Sequence, residues 1–414
     1  VVIGVRSRQN GAVELATYFK IGVLTMAIAN RRLVLAGVFF VCVAAIGLVL
    51  AGNVLAADRD YPTVLSPATA TPVVTTVKLP TGALPDAVAV DSTHNRAFVA
   101  NTYYLGGAST WSVIAPPNKN SSTYHISQTF TLPTVCGSGP NGIAFDPQNA
   151  TVDIVSSGGT DPCLLALHET NGSTAGSASF GGSPPIGYPD ALAIDSSTNA
   201  VDVVSGYSIY QQLFAVDRTS FSITPASGGP PNLLQLYADA ADTKANLVYV
   251  SGLESVGGLN VGEVFVYDAT PGAPLTYSSA IPLPTSPYAA SPKGIAVNSS
   301  THTVYTANDT GYSVSMIQGT TLVTTTSSLC PPPTSVCGLV KAVAVNPKLH
   351  EVYAAIDSSP TCNSGMVDVL SDSNLSLLSY VCVGQGTRAI AVNPQTNVVY
   401  AVNQADNSVS VIQF

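Results

Sequence analysis

Charge is scarce in this sequence. Only 9% of residues are Asp, Glu, Lys or Arg, against about 25% in an ordinary soluble domain. The 15 basic residues are outnumbered by 24 acidic ones, for a net charge of −9. A basic surface able to neutralise nucleic-acid phosphates is therefore not expected. Tryptophan occurs once, as Trp111, and histidine five times. No G-x-S-x-G elbow, phosphate-binding loop or D-x-D-x-D-G run occurs, which removes the usual sequence marks of a serine hydrolase, a P-loop enzyme and an EF-hand. No cysteine sits in a C-x-x-C pair, so zinc is not expected. No segment after residue 57 has helical periodicity. Scarce charge is not a sign of disorder here, because 46% of the residues are hydrophobic.

What fills the chain instead is Gly, Pro, Ser, Thr and Asn between short Val, Ile, Ala and Tyr runs, the composition of an all-β protein with many turns. One stretch differs. Arg31 and Arg32 precede about twenty uncharged, mostly apolar residues ending near Gly52. "VLAA", Val54 to Ala57, follows with small residues suited to cleavage. Residues 26–57 read as a signal peptide or an uncleaved signal anchor, the two arginines keeping the N-terminal side in the cytoplasm. Residues 1–25, ahead of the first methionine, Met26, are taken as a leader outside the fold, and 58–70 as a linker. The expected location is extracytoplasmic: cell surface, secreted or periplasmic, with membrane attachment through residues 31–52 if the segment is retained.

Residues 71–414 repeat one unit seven times. "DAVAVDSTHNRAFVAN" from Asp86, "NGIAFDPQNATVDIVS" from Asn141 and "RAIAVNPQTNVVYAVN" from Arg388 are examples. Each is a short strand, an Asp or Asn opening a polar turn, and a second strand. The turns open at Asp91, Asp146, Asp195, Asp242, Asn298, Asn346 and Asn393. Third and fourth apolar runs follow in most units, as in "SVSMIQ" from Ser313 and "TLVTTT" from Thr321. Four antiparallel strands in roughly 50 residues, seven times over, predict a seven-bladed β-propeller. The last unit supplies three strands only. "TPVVTTVKLP", Thr71 to Pro80, is the expected fourth, which would close the ring and leave no bare apolar edge. The residue two before each turn Asp or Asn is always alanine, from Ala89 to Ala391. Alternation places the alanines on one sheet face and the Val or Ile neighbours on the other, giving each inter-blade contact a small and a large side. Asp239 and Ala241 break the pattern, so the fourth blade should be the least regular.

The units "GIAVNSSTHTVYTAN" with "SVSMIQ", and "AIAVNPQTNVVYAVNQADNSVSVIQ", resemble YVTN β-propeller repeats of prokaryotic surface-layer and exported proteins. The resemblance spans about Thr71 to Phe414. It implies an exported propeller and no particular activity. Some relatives bind nucleic acid, which the acidity of this chain argues against.

Chemistry is sparse. His94, His302 and His350 fall at or beside one repeat position in the first turn and read as solvated turn residues; His125 and His168 are isolated. No His/Arg/Glu set resembles propeller lactonases, and the tryptophan motifs of quinoprotein dehydrogenases are lacking. The suggestive feature is the residue five before each turn Asp or Asn: Asp86, Asn141, Asp190, Tyr237, Lys293, Lys341 and Arg388. All seven should share one channel mouth. An acidic and amide arc would face a basic arc and orient a dipolar or anionic ligand, although solvated loop ends would look the same in sequence. Six cysteines follow Cys42, an even number that suits disulfides in an exported domain. Repeat equivalence predicts Cys136–Cys163 and Cys337–Cys362, leaving Cys330 with Cys382; the alternative to these last two is Cys330–Cys337 with Cys362–Cys382. The expected function is a non-catalytic, cofactor-free, metal-free binding scaffold. Its partner would be a surface saccharide, peptide or protein. A structural surface-layer component and an enzyme with a cofactor in the channel are the alternatives.

Overall fold

The computed structural model describes residues 71–414 apart from 104–107, 135, 137–138, 159–160, 182–186, 207–210, 286–289, 327–328 and 330–337. The expected signal segment and linker lie outside the described residues, as do Cys330 and Cys337. The described chain forms seven four-stranded antiparallel sheets, and strands are numbered in chain order. β1 (Val73–Lys78) is followed by six sheets of four consecutive strands each. Their first strands are β2 (Ala83–Asp91), β6 (Pro140–Asp146), β10 (Pro189–Asp195), β14 (Leu233–Asp242), β18 (Pro292–Asn298) and β22 (Val340–Asn346). The last sheet holds β26 (Thr387–Asn393), β27 (Val398–Asn403), β28 (Ser408–Gln413) and, beside β28, β1. The architecture is a seven-bladed β-propeller, with the N-terminal strand completing the last blade as expected. Val73 pairs with Gln413 and Lys78 with Ser408.

The seven first strands form the inner ring. Each packs against the next, and β26 packs against β2 to close the circle. Room near the axis decides the residue types. Ala87 and Ala89 of β2 meet Ile143 and Phe145 of β6; Ala342 and Ala344 of β22 meet Ile390 and Val392 of β26. This is the small-against-large contact expected from the alternation. The approach is close at Gly294, where a Cβ would stand 2.9 Å from the Ala342 Cα, and at Gly142, where it would stand 2.8 Å from Leu192 Cδ2. The rest of the core lies between blades, where apolar faces of consecutive sheets exclude water. Blade four is the irregular one: β14 carries two register shifts against its neighbour, where the other inner strands carry one.

Turn chemistry holds the far end of each inner strand. All seven turn-opening residues are at most 2% exposed. Each accepts, through Oδ1, the N–H two residues on: Thr93 to Asp91 at 2.9 Å, Ser197 to Asp195 at 2.9 Å, Gln395 to Asn393 at 2.8 Å, and likewise in the other four blades. Four residues after the opening, the chain takes a positive φ at Asn95, Ala150, Asn199, Asn246, His302, His350 and Asn397. Asn tolerates that conformation best among residues with side chains. Some of these side chains also buckle neighbouring blades. His302 Nδ1 lies 2.8 Å from Asp242 Oδ2 of the preceding blade, and Asn346 Nδ2 donates to Asn397 Oδ1 at 3.0 Å. A second clamp recurs in blades one, five and seven. Asn101, Asn308 and Asn403, all fully buried in the last part of a second strand, each donate to two Ser or Thr hydroxyls of the third.

Cys136 and Cys163 are bonded, as expected. Cys362 is bonded to Cys382, with Cα atoms 5.3 Å apart, which corrects the expected Cys337–Cys362 and Cys330–Cys382 pairs. The reason is local: the turn ahead of β24 (Ser364–Ser371) brings Cys362 against the end of β25 (Leu377–Val383), where Cys382 sits opposite Met366. Of the six Asn-x-Ser/Thr triplets, Asn298 and Asn308 are buried and hydrogen-bonded.

Two outcomes follow. Deleting Val73–Lys78 strips β28 of its partner, and the variant is expected to melt at least 10 °C lower or to aggregate by sedimentation; an unchanged melt contradicts the closure. Cys362→Ser opens a 20-residue loop and should cost about 3 kcal/mol in chemical denaturation. Non-reducing peptide maps of the parent protein should contain the Cys362–Cys382 fragment.

Candidate functional site

Each inner strand slips register against its neighbour at one shared place, with β14 carrying a second slip between Leu233 and Gln235. The register slips between Pro85 and Ala87, Pro140 and Gly142, Pro189 and Ala191, Leu236 and Ala238, Pro292 and Gly294, Val340 and Ala342, and Thr387 and Ala389. The residue left over in each blade is Asp86, Asn141, Asp190, Tyr237, Lys293, Lys341 or Arg388. A bulged residue has no cross-strand partner and its side chain is re-aimed. All seven line a single cavity of about 1400 Å³. Six are half-buried and Arg388 is exposed.

The wall below the mouth has two further tiers. The next residue of each strand is Ala or Gly, and the one after is Val88, Ile143, Leu192, Asp239, Ile295, Val343 or Ile390. One carboxyl therefore interrupts an aliphatic ring. Asp239 is 8% exposed, and burial pushes its carboxyl up to about 8. The side of β14 that carries it faces blade three, where the fully buried Asp202 faces back. Neither Asp202 oxygen has a hydrogen-bond partner. Burial, and then the Asp239 charge, hold Asp202 well above the usual carboxylate range. A single buried, unpaired charge is costly, and two like charges facing each other are more so.

At the mouth most charges are matched locally. Arg388 pairs with Asp86 through Nε, and Gln404 Nε2 donates to the same carboxylate at 3.1 Å. Burial raises the Asp86 carboxyl; Arg388 and Gln404 pull the other way. Lys341 Nζ lies 3.2 Å from Asp309 Oδ1 and 3.8 Å from Asp357 Oδ2. Asp190 accepts from Asn141 Nδ2 and from the Gly206 N–H, each at 3.1 Å. Its carboxyl is raised, by burial first, and the Asn141 bond opposes this. Lys293 stands over the Tyr237 ring, with Nζ 3.5 Å from the centroid, a cation–π contact. Burial lowers its ammonium below the ordinary lysine value. Burial also raises the Tyr237 phenol, whose oxygen accepts from Ser291 at 3.4 Å.

The structure thus brings all seven sequence-predicted residues to one mouth. Counting from the turns missed their partners Ser157, Asp309 and Gln404. A signal for them exists: each follows the last residue of a second strand, and antiparallel return puts that position at the same mouth. Asp239 was visible as a break in the pattern; its facing carboxyl on another blade was not. The turn histidines lie at the other ends of the inner strands, with side chains 47–60% exposed. Asp91, His94 and Glu169 gather three ligand-type atoms. Arg96 already bridges the two carboxylates, at 2.8 and 2.6 Å.

No family model matches this chain, and no curated protein matches it. Among solved structures, a chain of Kuenenia stuttgartiensis hydrazine synthase aligns with a TM-score of 0.61 at 12% identity, over 80% of this chain and 96% of that one. U3-55K aligns with a TM-score of 0.60 at 12% identity, over 82% and 98%. At that identity the likeness is one of fold.

The acid pair sets a pH dependence. A carboxyl raised from 3.8 to about 8 in the folded state stabilises fully below its unfolded value. That contribution is lost as pH rises through about 8. Unfolding free energy should therefore fall from pH 5 to pH 8, by an amount on the order of a few kcal/mol from this carboxyl, and Asp239→Asn should remove that share of the slope, leaving the part set by the other buried carboxyls, Asp202 and Asp368 among them. Equal stability at both pH values would mean that this carboxyl is ionised and paired.

Proposed function

We propose that the chain is an exported propeller of the YVTN-repeat type that acts as a non-catalytic binding scaffold, holding its ligand at the channel mouth. The observation that carries this reading is the sevenfold bulge. Every blade departs from regular pairing at the residue it presents at the cavity mouth, and those residues form an acidic or amide arc in blades one to three and a basic arc in blades five to seven, with Tyr237 between them. Side chains on a closed ring of sheets are held by rigid elements, which suits recognition. Opposed arcs across a low-dielectric mouth focus the field on a polar ligand. The two disulfides and the arginine-flanked apolar run ahead of residue 57 support an extracytoplasmic location. The net charge of −9 argues against nucleic acid as the partner.

A thermal-shift panel of saccharides, organic anions, nucleotides, peptides and metal salts on the full chain tests this. A ligand at 100 times its Kd adds about 2.7 kcal/mol and should raise the melting temperature. The shift should disappear when Lys293, Lys341 and Arg388 are replaced together by Ala. A panel without a hit, or hits insensitive to the triple replacement, contradicts the reading.

A further inference from the structure

Four acidic and three basic side chains line the cavity: Asp86, Asp190, Asp239 and Asp309, with Lys293, Lys341 and Arg388. Their pairing is uneven. Arg388 is matched by Asp86, and Lys341 by Asp309. Asp239 belongs to the aliphatic tier below the mouth. Lys293 and Asp190 are left. Among the described residues no carboxylate lies within 4.0 Å of the Lys293 ammonium, and no cation lies within 4.0 Å of the Asp190 carboxylate. The undescribed loop segments between residues 71 and 414 contain no Asp, Glu, Lys or Arg. Both groups are half-buried, where water screens and solvates them incompletely and a counter-charge is worth more than at an open surface.

The two groups flank one blade. Asp190 stands on β10 and Lys293 on β18, with Tyr237 of β14 between them. Each feels the other's charge weakly across the mouth, and Lys293 feels Asp309 more strongly than Asp190. Their remaining contacts fix position without neutralising charge: the Tyr237 ring under Lys293, and Asn141 Nδ2 and the Gly206 N–H on Asp190. Beneath lie small residues, then Leu192 and Ile295 on either side of the buried Asp239 carboxyl, and the aliphatic side chains of the other blades.

We infer that the mouth reads a zwitterion with an apolar body, of the class of apolar amino acids and short peptides with free ends. Its carboxylate pairs with Lys293, its ammonium with Asp190, and its side chains lie against the aliphatic tier. This rests on the mouth being a ligand site. It adds the ligand's charge pattern: one charge of each sign, since a purely anionic ligand leaves Asp190 unmatched and a purely cationic one leaves Lys293 unmatched. A cavity of 1400 Å³ exceeds the usual span of small-molecule pockets, about 300–1,000 Å³, which favours a peptide over a single amino acid.

Calorimetric titration of the full chain with Leu-Leu, its N-acetyl form, its C-terminal amide and free leucine tests the inference. Leu-Leu should bind, and either blocked form should bind at least tenfold more weakly. Lys293→Met keeps an apolar stem over Tyr237. It should weaken Leu-Leu at least tenfold and leave the amide unaffected. Asp190→Asn should do the same to Leu-Leu and leave the acetylated form unaffected. Circular dichroism and melting temperature report whether each variant is folded. Tighter binding of leucine than of Leu-Leu would place the ligand among amino acids and support the charge pattern. Equal binding of a blocked form overturns the inference. A dicarboxylate or saccharide that binds where Leu-Leu does not, and is lost in Lys293→Met, overturns it while sparing the mouth as a binding site. If none of these compounds binds, both readings fall.

Discussion

Six antiparallel residue pairs join Val73–Lys78 to Ser408–Gln413 and put the two ends of the propeller into one sheet. Without them the seventh blade ends on an apolar edge, and blades one and seven are joined only through their inter-blade packing and side-chain contacts. The mouth depends on the same ladder. Asp86 opens the first blade and Arg388 the last, yet they form an ion pair, and Gln404 reaches across the same seam to Asp86. The arcs face each other because the ring is closed. An open stack of the same blades would have one acidic and one basic end.

Crowding at the axis explains much of the rest. Seven inner strands can approach only if one face of each is small, hence the repeated Ala and Gly facing Val, Ile or Leu of the next blade. The bulge in each inner strand leaves one residue per blade without a cross-strand partner at the cavity mouth. Where polarity enters the crowded interface the consequence is a charge problem. Asp153 of blade two is met by Arg218, which also reaches Asp146 at 2.9 Å. At the equivalent position of blade three, Asp202 has no cation among the described residues and feels the carboxylates of Asp239 and Asp195. The first arrangement neutralises a buried carboxylate with a cation; the second does so with protons, at the cost of stability as the pH rises.

The fold was legible because the repeat marks itself. An Asp or Asn that must cap a turn, an Ala two residues earlier and two short apolar runs recur seven times, and the missing strand of the last blade pointed back to Thr71–Pro80. The mouth residues could be found by counting from those turns. The bulges that aim them could not, since a bulge is a property of two paired strands. Cys362 shows the limit of repeat equivalence. Cys136 and Cys163 lie ahead of a first and at the start of a third strand. Cys362 is bonded to Cys382 in the outer strand of its own blade. The partnerless Lys293 was likewise out of reach, because it emerges only after Asp309 and Asp86 have been assigned to other cations.

The central claim is that ring closure makes the mouth one electrostatic unit. A double-mutant cycle on Asp86→Asn and Arg388→Gln, read by chemical denaturation at low ionic strength, measures it most directly. The account predicts that the two effects are non-additive, with a coupling of about 0.5–1 kcal/mol that shrinks in high salt. Strictly additive effects, the same at low and high salt, would mean that the first and last blades do not meet at this mouth.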